Sequence, residues 1–390
     1  MSIYQIGILG TPTAELRADL CSTLGDMVSA FGLRLESDVA VLDPTAILSH
    51  SPKAALAAVW FGGPTHDTAS VAAAEMLVRE NLPIIPVVAE LKDFIPHVPA
   101  FLHFANGMSL SSAGPRLERL ASALLECVGL LRHQRRVFIS YRRDEAAAAA
   151  LHLHEALTAA GFDVFLDSYS VRPAEDFQAV LWHRLCDSDV MVMLDTPGFF
   201  ASRWTPKEIG RALAKNIAIL GVVWPGHTPA RTSQMREPIF LKSEDLQGAD
   251  GPLAPAASER IRVAIERLRS RSLAIRHAVL AGVLRSGAEA IGGSVDGVGA
   301  RRALAVRVPQ LTEYLRVFPA VGVPSAETFQ EIAEHGMEPG SSSTVPVLLY
   351  DHVGLHASWQ KHLDWLQQNL KVVRVLRASQ AAWDLADWEA

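Results

Sequence analysis

Trp204 and Glu208 stand four residues apart in the stretch "SRWTPKEIGRAL" (202–213). On a helix that spacing puts both side chains on one face. An indole beside a carboxylate can wall a ligand pocket. The same stretch also reads as a plain helix start. Thr205 would be the N-cap, Pro206 the first helical position and Glu208 the third, where a glutamate reaches back to the N-cap amide and does no chemistry. Taken alone, these twelve residues leave both readings open.

Short apolar runs alternate with longer helical patterns along the chain. The runs at 4–10, 55–61, 82–88, 136–141, 163–167, 189–194 and 217–224 read as strands, and "EAAAAALHLHEALTAAG" (145–161) as one of the helices between them. Continuous apolar strands separated by helices predict an α/β fold of parallel sheets covered on both faces. "LLRHQRR" (130–136) is a polar break before a new strand, and a second boundary follows the helix "SERIRVAIERLRS" (258–270). The expected organisation is three α/β domains at 1–130, 134–270 and 271–390. Open sheets bind ligands at the carboxyl ends of their strands. In the middle block Ser140, Tyr141 and Arg142 end the first strand and Asp167 the second, while Asp195 and Ser202 follow the third. All should ring one crevice with Glu208.

Composition narrows the classes. A 49% apolar, 20% charged chain suits folded domains with large cores, and a net charge of −6 gives no broad attraction to nucleic acid. Cys21, Cys127 and Cys186 are too far apart for a CxxC metal pattern or a disulfide framework, which favours a reducing compartment. The first residues lack a basic region with a long apolar core. No apolar run approaches the roughly 20 residues of a membrane helix. The expectation is a cytoplasmic protein with no bound metal.

The middle block, roughly 134–270, resembles a TIR domain. "RVFISYRRDE" (136–145), "LHEALTAAGFDVFLDSYSVRPAEDF" (153–177), "LCDSDVMVMLDTPGFFASRWTPKEI" (185–209) and "IAILGVVWPGHTP" (217–229) carry the resemblance, in the order the family shows them. It implies a flavodoxin-like fold. It also implies the activity of many bacterial members, hydrolysis or cyclisation of NAD+ with release of nicotinamide in antiphage defence. NAD+ is then a substrate and no further cofactor is needed. The glutamate of the family's W-x-x-x-E helix falls at Glu208, which becomes the expected catalytic residue. Trp204, Ser140, Tyr141, Arg142, Asp167 and Ser202 become the expected substrate contacts.

The chemistry suits such residues. The nicotinamide–ribose bond breaks through an oxocarbenium-like transition state, which one carboxylate at the ribose can stabilise. Trp204 could stack on the nicotinamide ring. Arg142 or Arg143 could pair with the pyrophosphate, or form a solvated surface pair. Asp167 could bind a ribose or cap a loop. The resemblance further implies self-association through TIR domains, with a nucleotide signal or a protein partner acting on the outer domains. The competing reading is a scaffold that works only by TIR–TIR binding, with Glu208 a cap and Trp204 core.

Weaker motifs carry bland defaults. "GILGTPT" (7–13) reads as a turn more readily than a phosphate loop, "AIGGSVDGVG" (290–299) as a flexible loop, and His352 and His356 as structural rather than metal-binding. Matching Asn81 to Asn216 lays 70–88 on 205–223 and puts Ala73 opposite Glu208, either an internal repeat or the likeness that any two helix–strand units share.

Overall fold

The computed structural model describes residues 2–50, 54–110, 117–166, 177–201, 205–229, 238–298, 302–336 and 346–388. Its strands are β1 (Tyr4–Gly10), β2 (Val39–Leu42), β3 (Ala55–Phe61), β4 (Ile84–Val88), β5 (Met108–Ser109), β6 (Arg136–Ser140), β7 (Asp163–Leu166), β8 (Val190–Asp195), β9 (Ala218–Val223), β10 (Ile239–Phe240), β11 (Ser294–Val298), β12 (Leu304–Arg307), β13 (Leu315–Ala320), β14 (Val347–Tyr350) and β15 (Arg374–Arg377). Its α-helices are α1 (Ala14–Ser29), α2 (Pro44–Ile47), α3 (Thr68–Arg79), α4 (Phe94–His97), α5 (Leu117–Cys127), α6 (Arg143–Ala159), α7 (Phe177–Asp187), α8 (Thr205–Ala214), α9 (Pro255–Ala290), α10 (Ala326–Gly336), α11 (Ala357–Asn369) and α12 (Ala381–Ala386).

Two compact units form, Met1–His133 with Gly299–Arg302, and Gln134–Val298 with Ala303–Ala390. The first holds a parallel sheet in the order β2-β1-β3-β4-β5. The second holds two sheets, β10-β9-β8-β6-β7 and β11-β12-β13-β14-β15. Numbered within their own segments, the first two sheets share the flavodoxin-like order 2-1-3-4-5. The expected α/β architecture with parallel, flavodoxin-like sheets is therefore present.

The repeat matched on asparagine has a physical counterpart. Asn81 and Asn216 both adopt φ 55°, the left-handed region in which asparagine is tolerated. Leu82 N–H donates to the Leu77 carbonyl and Ile217 N–H to the Ala212 carbonyl, each at 2.9 Å. That closure turns the chain from helix into the fourth strand of each sheet. Ala73, opposite Glu208 in this register, is fully buried. In "GILGTPT", Thr13 caps α1 and accepts from Leu16 N–H at 3.1 Å.

The sheet β10-β9-β8-β6-β7 is covered on both faces. One face packs Val137, Ile139, Val192, Leu194 and Val222 against α6 and α9. The other packs Phe138, Phe165 and Met191 against Leu181, Trp182 and Leu185 of α7 and Ala212 of α8. Period-2 alternation in β6 sends Phe138 to the α7–α8 side and Val137 and Ile139 to the other.

Two expectations fail here. The helix thought to end at Ser270 runs on to Ala290. The polar run "RSRS" looks like a terminus, but Ser270 and Ser272 are buried, and the Ser272 hydroxyl accepts from Ala218 N–H at 3.2 Å. The glycine-rich 290–299 stretch is not simply a loop, because it contains β11, paired antiparallel with β12 across a bulge between Val295 and Gly297. A bulged antiparallel edge tolerates glycine, so composition hides the strand. His356 is structural as expected. It caps α11, its Nδ1 accepting from Ser358 N–H at 3.2 Å.

Candidate active site

Ser140 ends β6 on the side of α8, and Glu208 lies in the first turn of α8. The Ser140 hydroxyl donates to Glu208 Oε2 at 2.6 Å, with 5% and 7% of the two residues exposed. This is the length of a charge-assisted O–H···O⁻ bond. The positive end of α8 favours the same carboxylate. Thr205 is the first described residue of α8. A strand end 68 positions away holds the Glu208 carboxylate.

Arg142 does not reach into open solvent. Its Nη1 donates to the Gly198 carbonyl at 2.7 Å and lies 3.3 Å from Glu145 Oε1, while Gly198 N–H donates to Glu145 Oε2 at 2.9 Å. This latch pins the loop between β8 and α8 to the start of α6. A Cβ at position 198 would fall on the Arg142 guanidinium and the Glu145 carboxylate. Gly198→Ala should therefore open the latch and lower stability by about 1 kcal/mol, a discounted value for partly exposed groups. Urea unfolding measures it, and an unchanged midpoint would show that the latch carries no stability.

Tyr141 goes elsewhere. It packs against the cluster of Val137, Ile139 and Leu153 on the face opposite α8, because it follows Ser140 by one residue. Asp167, Ser202 and Trp204 lie outside the described residues. The structure thus brings together Ser140 and Glu208, sets Arg142 in the adjoining loop and turns Tyr141 to the other side.

A five-stranded parallel sheet of this order, with a glutamate-bearing helix beside its first strand end, fits the comparison with known families. The TIR-domain family model matches residues 137–251. Residues 137–251 are a TIR domain. No curated protein matches the chain. Solved structures similar to it include tagatose-6-phosphate ketose/aldose isomerase from Escherichia coli, at 11% identity over 71% of this chain and 83% of that one, with a TM-score of 0.20. Another is the C-terminal domain of glucosamine-fructose-6-phosphate aminotransferase from Francisella tularensis, at 9% identity over 70% of this chain and 84% of that one, with a TM-score of 0.19. Likenesses this weak carry no argument about the chain.

The TIR domain holds a second buried carboxylate at the same sheet edge. Asp195, the last residue of β8, is 0% exposed. His227 Nε2 lies 3.3 Å from its Oδ1, and among the described residues neither Asp195 oxygen has a well-aligned hydrogen-bond partner. Burial pushes the Asp195 carboxyl above its ordinary value, and the nearby His227 opposes the shift. Sequence reading left Asp195 ambiguous and missed His227. The signal for the histidine was its place in the loop after the fourth strand, at the same edge.

The sign of the pH effect follows from that upward shift. Native Asp195 keeps its proton to a higher pH than it does in the unfolded chain. Stability contributed by the protonated group is present below the ordinary value of about 3.9 and is lost as pH rises through the raised one. Asp195→Asn removes the loss. Wild type and variant should have similar urea midpoints in acid, with the variant gaining as pH rises toward neutrality. Parallel profiles would sink the assignment. Among the described residues no group of His, Cys, Asp or Glu could hold a metal ion, and no helix is long and apolar enough to cross a membrane.

Proposed function

We propose that this chain is an NAD+ nucleosidase, a hydrolase that cleaves the nicotinamide–ribose bond of NAD+ to linear or cyclised ADP-ribose. The observation that supports it is the Ser140–Glu208 pair at the carboxyl edge of the TIR sheet. Nicotinamide departs as a neutral molecule from a cation, so the step needs no redox change. Positive charge develops on the ribose as the bond lengthens, and the Glu208 carboxylate stabilises it electrostatically. Ser140 orients that carboxylate. Trp204 walls the nicotinamide pocket, and Asp167 and Ser202 contact the substrate.

NAD+ depletion arrests a cell, so the enzyme is silent at rest. In this reading it is an antiviral effector of the cytoplasm, switched on by TIR–TIR self-association and by a nucleotide or protein signal on the flanking domains at 1–130 and 271–390. The test is NAD+ consumption by the purified full chain at high concentration beside Glu208→Gln, with nicotinamide and ADP-ribose products resolved. Equal nicotinamide release by the two proteins would overturn the site. Silence of both proteins under forced dimerisation would give the lead to a TIR scaffold.

A further inference from the structure

The third sheet presents the carboxyl ends of its parallel strands to the TIR domain. Beyond β13, Val323 N–H donates to Asp187 Oδ1 at the end of α7, at 2.9 Å. Beyond β14, His356 N–H meets His183 Nδ1 of α7 at 3.3 Å, and Asp351 pairs with Lys215, the residue after α8. Arg276 of α9 donates to the carbonyls of Ser188 and Cys186 at 2.8 and 2.7 Å. Gly322 at φ 95° and Gly354 at φ 87° turn the chain after the two strands.

A cavity of about 70 Å³ opens at this junction, lined by Lys215, Asn216, Arg276, Val321, Gly322 and Asp351 among others. One water needs roughly 10–15 Å³ by the same measure, so the space admits a group of several heavy atoms. Its charged lining residues are two cations and one carboxylate. Lys215 supplies a compact point charge and Asn216 an amide, while Arg276, its two Nη atoms held by the Ser188 and Cys186 carbonyls, contributes a fixed positive charge. That donor set, at the edge where open sheets take their ligands, suits a compact oxyanion.

We propose that this cavity is an effector site for a phosphoryl group, taken as the free anion or as the phosphate of a nucleotide. In the structure described, Asp351 holds the Lys215 ammonium, with side chains 40% and 16% exposed. An ion pair open to water is weak. An entering phosphoryl group takes Lys215 from Asp351. Lys215 follows the last residue of α8 and Glu208 lies in its first turn, and ten residues of helix span only about 15 Å. Occupancy therefore acts on the rigid element that carries Glu208. This consequence for turnover rests on the NAD+ reading, while the binding itself does not.

The experiment is calorimetric titration of the full chain with inorganic phosphate, and separately with adenosine monophosphate, at constant ionic strength against chloride. Saturable binding is expected. Lys215→Met should weaken it at least tenfold, and Asp351→Asn, which removes the competing carboxylate, should tighten it several-fold. Tighter binding of the monophosphate than of phosphate marks a nucleotide as the source, and the reverse marks the free anion. No saturable binding would overturn the site. So would Asp351→Asn that weakens binding or leaves it unchanged, an arm that stands even if Lys215→Met fails to fold. Calorimetry reads binding without turnover, so failure here leaves the Glu208 assay untouched, and failure there leaves this site standing.

Discussion

Glu208→Gln should lower nicotinamide release from NAD+ by at least 10²-fold while leaving the fold intact. Glutamine matches glutamate in size and keeps an oxygen that can accept from the Ser140 hydroxyl, now 2.6 Å from Oε2. Only the charge is lost. The transition state carries positive charge on the ribose that the ground state places on the nicotinamide ring. In the proposed reaction, a fixed carboxylate beside the ribose favours the transition state, which is the condition for catalysis. Removing one preorganised electrostatic group from a water-poor site costs about 10²–10³ in rate. Glu208 is only 7% exposed, which places it in such a setting. Ser140→Ala should act through Glu208 and cost less, about tenfold. If Ser140 acts by holding the carboxylate, kcat should change more than KM, whereas a direct substrate contact would move KM. Unequal urea midpoints for wild type and Glu208→Gln would show that the carboxylate also supports the fold. In that case the rate comparison is made at a temperature where both proteins are fully folded.

The second large effect lies far from the sheet edge that holds Glu208. Asp189→Ala should destabilise the unit that carries the TIR domain by about 3–5 kcal/mol. Arg269 of α9 and Asp189 are both 0% exposed, and Arg269 Nε donates to Asp189 Oδ2 at 2.9 Å. The same oxygen accepts from Arg136 N–H at 3.1 Å, and Arg269 Nη2 donates to the Gln134 carbonyl at 3.1 Å. One turn earlier on α9, Glu266 pairs with Arg135. Removing Asp189 leaves a guanidinium buried without its carboxylate, and desolvation of that charge sets the cost. The double variant Asp189→Leu with Arg269→Met should recover most of the loss, since neither position then buries a charge whose partner has been removed. The measurement is a double-mutant cycle in urea with Asp189→Leu, Arg269→Met and their double variant, read on the transition of this unit because the chain has two compact units. Additive single and double losses would show that the two residues are not coupled.

Much of the architecture was legible because it is written at short range. The apolar runs of β1, β3, β6 and β8 are buried on both faces, so their composition alone reports a parallel sheet. Asn216 and Asn81 could be matched because each ends a helix in a conformation that few residues adopt. Where local signals misled, tertiary packing had overruled them. Ser270 and Ser272 read as a helix end, yet they are buried inside α9. The glycines of 290–299 read as a loop, yet Gly297 sits in a bulged strand.

The sequence by itself determined the residue types, their order and the elements that carry them. Ser140 had to end a strand and Glu208 had to lie in the first turn of a helix, because periodicity and turn chemistry act over a few residues. The tertiary structure alone decided what those side chains meet. Glu208 is held by a hydroxyl 68 positions away, Arg142 latches Gly198, Tyr141 turns into the opposite face, and Lys215 meets Asp351 from a different sheet. Such pairings are set by how sheets and helices pack. No local propensity encodes them, so they become readable only when the chain has closed on itself.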